Sequence, residues 1–213
     1  MSSLRIPVSS KSEPLTLRGD LPESRLFSAG EYQRMAESGV IGEDEAVELI
    51  EGRIVYMAAK DHKHAVATKR VNRFFSSKLA DHVIVSVQDP ILLNDFSEPE
   101  PDIALLQPPD ERYLESHPRP ADILLVLEIA DTSLPYDRDV KGPLFARNQI
   151  IEFCLLNLQT RELEDYRDPS PEGYRSKRTY REEEIFNLVA FPDLSIKVKD
   201  LLPPADTKRR KRK

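Results

Sequence analysis

The sequence of 213 residues predicts an α/β domain in which helices flank a mixed central β-sheet. Short apolar runs typical of buried strands recur through the middle of the chain, and two longer stretches show helical spacing. The elements follow the order helix, hairpin, helix, several strands, helix, strand, which favours a mixed sheet over a purely antiparallel one. Hydrophobic residues make up 39% of the chain, enough for one core of ordinary size.

The first regular element is expected to be a helix that begins after Ser28. Residues 1–24 mix serine, proline and charge without a sustained period and predict a flexible lead-in. Ser28 and Glu31 have the spacing of a capping box, in which each side chain satisfies an exposed backbone amide of the first turn. Gly39 can adopt a left-handed conformation and is expected to end this helix.

A β-hairpin and a long helix are predicted next. Glu51 and Gly52 separate two apolar-rich runs within residues 46–57, and glycine accepts the positive φ of a tight turn. Residues 64–79 form an amphipathic helix in this interpretation. Its apolar side chains recur at helical spacing: Ala67, Val71, Phe74, Phe75 and Leu79.

The remaining elements complete the sheet. Strands are expected over residues 82–87, 90–93, 102–106, 123–130 and 150–156. Residues 108–120 are rich in proline and charge and predict a loop with a short helix. Residues 137–147 have helical character, so Pro143 must lie in the first turns or kink the helix. A hairpin over residues 161–181 and two short closing strands, at residues 185–189 and 194–198, follow.

Composition and motifs exclude several classes of protein. No apolar run is long enough for a transmembrane helix, and the N-terminus lacks the apolar segment of a secretory signal. The single cysteine, Cys154, rules out an intramolecular disulfide and a cysteine-rich metal site, so we expect a reducing cytoplasm. Glycine-rich phosphate loops are absent, and Ser133 lacks the context of a hydrolase nucleophile.

The net charge of −6 conceals an asymmetry. The last six residues are all basic: Lys208, Arg209, Arg210, Lys211, Arg212 and Lys213. Without them, 25 Lys and Arg face 37 Asp and Glu, a net charge of −12. An acidic body is a poor partner for a phosphate backbone and the basic tail is a good one. Residues 203–213 are therefore expected to be a disordered tail, either a nucleic-acid-binding arm or simply a solvated terminus.

Two carboxylates and a lysine form a candidate catalytic group. Asp102 opens an apolar strand directly after a proline, and Glu128 lies inside a run of aliphatic residues. An ionised carboxylate in such surroundings is costly unless a cation or hydrogen bonds compensate it. On neighbouring strands, the two could bind one hard cation such as Mg²⁺. Lys141, on a predicted helix, could then activate a water or stabilise phosphate charge.

Ordinary structural roles are also compatible with each of these residues taken singly. Asp102 could end a loop, Glu128 could pair with a basic side chain, and Lys141 could lie at the surface. His64 could cap or pack locally at a helix start. The combination is more specific than any one member, but spacing alone does not name a reaction.

Several motifs together resemble the Uma2 family of predicted restriction endonucleases, which is frequent in cyanobacteria and belongs to the PD-(D/E)XK superfamily. The resemblance spans residues 27–202 and rests on four segments: Glu48-Leu49-Ile50-Glu51-Gly52, Pro101-Asp102, Glu128-Ile129-Ala130-Asp131-Thr132-Ser133 and Tyr136-Asp137-Arg138-Asp139-Val140-Lys141. It implies a restriction-endonuclease-like core over residues 25–202, with the N-terminal helix and β-hairpin as additions.

The resemblance also implies roles for individual residues. Asp102 and Glu128 match the two metal-binding acids of the family, and Lys141 matches its lysine on the following helix. The superfamily usually places that lysine two residues beyond the second acid, where this chain has Ala130. Glu48 and His64 match recurrent positions with supporting roles.

Two functions follow as hypotheses. The first is a Mg²⁺-dependent DNA endonuclease, with Mn²⁺ as a substitute ion. The second is a non-catalytic nucleic-acid or protein binding module that retains the fold. DNA is the expected partner, and a homodimer is compatible with either hypothesis.

Overall fold

The computed structural model describes residues 24–205, and its centre is a six-stranded mixed sheet. The strand order is β3-β4-β5-β6-β7-β8, where only β5 and β6 are parallel neighbours. The strands are β3 (Ile84–Ser86), β4 (Ile103–Leu106), β5 (Ile123–Ala130), β6 (Glu152–Asn157), β7 (Glu162–Ser170) and β8 (Gly173–Arg181). The predicted mixed sheet flanked by helices is confirmed.

Helices cover both faces of this sheet. Helix α2 (His62–Leu79) packs on one face, and Phe75 lies in an apolar layer with Leu125 and Leu127 of β5. Helix α4 (Gly142–Arg147) packs on the other, where Phe145 contacts Phe153 of β6. Helices α3 (Leu134–Tyr136) and α5 (Val198–Leu201) are short, and β9 (Ile185–Phe186) pairs with β10 (Ile196–Lys197). Within residues 24–205, no helix is long and apolar enough to cross a membrane.

The N-terminal elements have the predicted form. Helix α1 (Ala29–Glu37) carries the capping box of Ser28 and Glu31, and Gly39 follows it with φ of 74°. Strands β1 (Val47–Ile50) and β2 (Arg53–Tyr56) form the hairpin. Glu51 and Gly52 both have positive φ, at 48° and 77°, as a two-residue type I′ turn requires.

Two sequence predictions need correction. Ile91 and Leu93 are buried, but residues 90–93 do not form a strand. Pro90 has no N–H to donate, and the N–H groups of the next three residues bond to the loop carbonyls of Pro99, Pro118 and Ser97. The predicted helix over residues 137–147 begins earlier, at Leu134, and contains a π-helical turn over Asp137–Lys141. Pro143 lies two residues after this wider turn, and a local widening is one way in which a helix accommodates a proline ring.

Candidate active site

Asp102 and Glu128 lie side by side because β4 and β5 are neighbours in the sheet. Asp102 immediately precedes β4, and its backbone N–H donates to Glu128 Oε2 at 3.1 Å. Glu128 faces inward within β5, and both residues are about 95% buried or more. The structure thus brings these two acids together.

Asp102 is held by hydrogen bonds on both carboxylate oxygens. Its Oδ2 lies 2.9 Å from His64 Nε2 and accepts from the Ile129 N–H at 2.9 Å, while Oδ1 accepts from Gln88 Nε2 at 3.1 Å. Burial raises the pKa of Asp102, but the hydrogen bond and electrostatic attraction of His64, with the Ile129 N–H, outweigh burial and lower the pKa below its usual value. Asp102 is therefore ionised and fixed in orientation.

His64 is in turn positioned by the start of α2. Asp61 caps this helix and accepts from the His64 N–H at 2.8 Å. The other ring nitrogen of His64, Nδ1, lies 3.4 Å from Thr68 Oγ1, one helical turn further on. Both ring nitrogens are engaged, so His64 is suited to orient Asp102 rather than to reach a substrate.

Lys141 links Glu128 to a third buried acid, Glu48. Its Nζ lies 2.9 Å from Glu128 Oε1 and 3.0 Å from Glu48 Oε2. Glu48 also accepts from the Glu100 N–H and from Tyr136 Oη, both at 3.2 Å. The structure thus brings together Asp102, Glu128, Lys141, Glu48 and His64, the residues that the sequence singled out. Ala130, two residues beyond Glu128, is fully buried in β5.

The electrostatics of Lys141 and Glu128 follow from their burial. Burial lowers the pKa of Lys141, but the charges of Glu128 and Glu48 outweigh burial and raise the pKa, so the side chain stays an ammonium. Burial raises the pKa of Glu128 well above its usual value, the charge of Lys141 opposes this rise, and the charge of Asp102 adds to it. A further cation would favour the ionised form of Glu128.

Asp137 is a site residue to which the sequence analysis assigned no role. It is 5% exposed, lines the same cavity, and accepts from Ser133 Oγ at 2.6 Å. Burial raises its pKa to about 6, against a partial lowering by the Ser133 hydrogen bond. The sequence offered one indication that Asp137 belongs to the site. It lies four residues before Lys141 on a predicted helix, and residues with that spacing share a helix face.

These side chains line a cavity of about 200 Å³, which we call the catalytic cavity after the role that we propose for it. Its buried carboxylates are Glu48, Asp102, Glu128 and Asp137, whereas Lys141 is its buried ammonium. The excess of negative charge fits a divalent cation, and carboxylate oxygens are the donors that Mg²⁺ and Mn²⁺ prefer. Asp102 and Glu128 would hold such an ion.

A second group of buried ionisable side chains lies across β6 and β7. Among the described residues, Glu152, Cys154 and Asp165 are the set whose potential ligand atoms lie within 4.8 Å of one another. Arg167 already supplies a positive charge, with Nη2 2.8 Å from Glu152 Oε1 and 2.9 Å from Asp165 Oδ2. Burial raises the pKa of the Cys154 thiol well above its usual value, which makes it a poor ligand. We call these four residues the Arg167 cluster.

The predicted basic tail lies outside the described residues. Lys208, Arg209, Arg210, Lys211, Arg212 and Lys213 follow the last described residue, Ala205. Residues 1–23 of the predicted lead-in are outside the described part as well.

Fold and site together define a restriction-endonuclease-like α/β protein. Its acidic cavity lies at the end of the sheet where β4 begins and β5 ends. A solved structure of a protein from Anabaena variabilis, described as a putative nuclease belonging to DUF820, shares this fold. It matches with a TM-score of 0.63 and 15% identity, over 82% of this chain and 97% of its own. No curated protein shows significant similarity in sequence.

The chain belongs to the Uma2 family, described as "Putative restriction endonuclease", whose model matches residues 29–199. The family resemblance inferred from the sequence motifs is thereby confirmed.

Proposed function

We propose that the protein is a metal-dependent nuclease that hydrolyses phosphodiester bonds in DNA. The observation that carries the proposal is the catalytic cavity, where buried carboxylates outnumber the buried ammonium of Lys141 and lie at one accessible point. The Uma2 family and the Anabaena protein are both described as nucleases, which supports the same reaction.

Asp102 and Glu128 would hold Mg²⁺, and Mn²⁺ would substitute for it. When bound, the ion supplies polarisation of the scissile phosphate and a water of lowered pKa. Asp102 is suited to this role by its fixed orientation, since His64 and the Ile129 N–H bind its Oδ2. His64 acts as a positioning residue in this proposal.

Lys141 stabilises charge rather than accepting a proton. Its pKa is raised by Glu128 and Glu48, so it remains an ammonium at neutral pH. An ammonium beside the metal ligands can stabilise the negative charge that develops on the phosphate in the transition state. Glu48 forms a second ion pair with Lys141 besides that of Glu128, and the two pairs together fix the direction of the ammonium.

The test is cleavage of plasmid and linear DNA by the purified protein with Mg²⁺, with Mn²⁺ and with EDTA. We expect cleavage with either ion and none with EDTA. We also expect Lys141→Met to lose cleavage and still to bind the ion. Absence of metal-dependent cleavage by the wild type, together with thermal stability that ignores both ions in wild type and Glu128→Ala alike, would favour a non-catalytic binding module.

The basic tail is proposed to bind the DNA backbone. Deleting residues 208–213 should weaken binding to a duplex and flatten its salt dependence by about 0.9 logarithmic units for each phosphate that the tail neutralises. The metal-induced rise in melting temperature should be unchanged, because the catalytic cavity lies within residues 24–205. Identical salt slopes for full-length and truncated protein would show that the tail is only a solvated end.

Two coarser expectations complete the proposal. The cytoplasm is the proposed compartment, since Cys154 is buried as a free thiol. A homodimer is the proposed assembly, and sedimentation of the purified protein tests it.

A further inference from the structure

A second cavity, of about 800 Å³, lies beside the catalytic cavity. The two share Asp131, which follows β5 directly. The start of α2 also contributes to both, with Asp61 and His64 facing the catalytic cavity and His62 and Lys63 facing the second. A ligand bound at Asp102 and Glu128 that continues past Asp131 therefore enters this second cavity.

The second cavity differs in chemistry from the first. Basic side chains line one part of it, namely His62, Lys63 and Arg161, of which Arg161 is paired with Glu182, and Asp131 is the one acid among the described residues of its lining. The rest is largely apolar, with Val66, Leu158, Pro203, Pro204 and Ala205. Cationic groups next to an apolar wall suit a ligand that has an anionic part and a flat, weakly polar part.

The wall of the second cavity is fixed by hydrogen bonds. Arg161 binds both carboxylate oxygens of Glu182, at 2.7 and 2.5 Å, and donates to the Pro203 carbonyl at 3.1 Å. Gln159 Nε2 donates to the Asp131 carbonyl at 2.7 Å. Pro203 is buried by these contacts. The C-terminal segment, the β6–β7 loop and α2 thus form a site that is already built.

We propose that the second cavity binds an unpaired nucleotide adjoining the scissile phosphate. This inference rests on the proposed nuclease function and adds the substrate class, a nucleic acid with a single-stranded segment. The base would pack on the apolar wall of Val66, Leu158 and Pro203, and the neighbouring phosphate would lie near the start of α2. A cavity of this volume accepts a ligand of nucleotide size, whereas a base inside a duplex could not enter it.

The experiment measures binding of a short fluorescent oligothymidylate to the full chain in EDTA, where metal-dependent cleavage is absent. Val66→Glu places a negative charge on the apolar wall, and Val66→Asn makes that wall polar without adding charge. Val66 is 42% exposed, so both variants are expected to fold, which thermal unfolding checks. Val40→Glu, at an exposed position that lines neither cavity, is the matched control.

We expect both Val66 variants to weaken binding at least about fivefold, the lower end of what one stacked base contributes, and Val40→Glu to bind like the wild type. A duplex with an unpaired overhang should compete with the oligothymidylate, and a blunt duplex should compete poorly. Equal affinity of the three variants, or equal competition by the two duplexes, would overturn the subsite. DNA cleavage by the wild type is scored separately, so failure of the nuclease proposal remains distinguishable.

Discussion

The catalytic cavity and the Arg167 cluster are both buried groups of acids in the same sheet, yet their charges are arranged differently. In the Arg167 cluster, Glu152 and Asp165 share one guanidinium, and the group faces the apolar layer beneath α2. In the catalytic cavity, the buried acids exceed the charge of Lys141 and line an open space. The close spacing of potential ligand atoms alone would select the Arg167 cluster as the metal site. We place the metal in the catalytic cavity instead, because the charge of its acids is not balanced there and the cavity is accessible.

The largest expected effect separates the two regions by activity. Asp102→Asn should reduce metal-dependent DNA cleavage at least about a hundredfold, because it removes a ligand charge from the catalytic cavity. Glu152→Gln changes an equally buried acid in the Arg167 cluster and should leave cleavage near the wild-type rate. The measurement is the initial rate of plasmid nicking at saturating Mg²⁺. Equal losses in the two variants would contradict the distinction.

Rescue of stability by Mg²⁺ should also distinguish the two regions. Arg167→Met leaves Glu152 and Asp165 buried without their cation and should lower the free energy of unfolding by about 3 kcal/mol or more. Lys141→Met should also destabilise the protein, but Mg²⁺ should restore much of that loss because the ion supplies the missing charge. Urea unfolding with Mg²⁺ and with EDTA checks both variants. If Mg²⁺ restored the stability of Arg167→Met, the ion would bind in the Arg167 cluster and not in the catalytic cavity.

The pH dependence of stability should divide between the two regions. Burial raises the folded-state pKa of Asp137 from 3.8 to about 6 and that of Glu152 from 4.5 to about 7. The folded protein therefore binds more protons than the unfolded chain between about pH 4 and 7, so stability falls as pH rises through this window. Each residue accounts for about 3 kcal/mol of this loss.

Two variants and added Mg²⁺ show which residue causes each part of this loss of stability with pH. Asp137→Asn should flatten the part below about pH 6, and Glu152→Gln the part that extends to about pH 7. Saturating Mg²⁺ should oppose the loss due to Asp137 only, and its affinity should rise with pH because protons compete for the same oxygens. The free energy of unfolding measured across pH, with and without Mg²⁺, tests this. An affinity for Mg²⁺ that ignores pH would count against the cavity.

The smallest effect is expected from Cys154→Ala. The thiol is fully buried, and its loss leaves a small void that should cost about 1 kcal/mol of stability. Metal-dependent cleavage and the metal-induced rise in melting temperature should stay at the wild-type level, since Cys154 is not in the catalytic cavity. Loss of metal binding in this variant would identify the Arg167 cluster as the metal site instead.

The periodic parts of the fold were predictable from the sequence. Strand β5 occupies Ile123–Ala130 as its apolar run predicted, and the Glu51-Gly52 turn follows from the positive φ that glycine accepts. The strand predicted over residues 90–93 is absent because an apolar run indicates burial, whereas a strand also needs a neighbouring strand to pair with. The N–H groups of Ile91, Leu92 and Leu93 bond to three separate loop carbonyls instead, and no local pattern in the sequence indicates those partners.

The site was predictable where its residues share neighbouring strands. Asp102 and Glu128 meet because β4 pairs with β5, a pairing that the sequence made plausible. Gln88 contacts Asp102 from a loop, and no spacing in the sequence indicates that contact. The second cavity was equally hidden, since its walls come from α2, the β6–β7 loop and the C-terminal segment.

The π-helical turn over Asp137–Lys141 determines where Lys141 is aimed. The Gly142 N–H bonds to the Asp137 carbonyl, one residue further back than in an α-helix. Such a turn contains one residue more than a regular α-helical turn, and each residue of a helix rotates the chain by about 100°. Removing one residue, such as the exposed Asp139, would restore the regular pitch and turn Lys141 away from Glu128. A deletion that leaves every residue of the site in the chain would therefore still remove the Lys141 ammonium from the catalytic cavity.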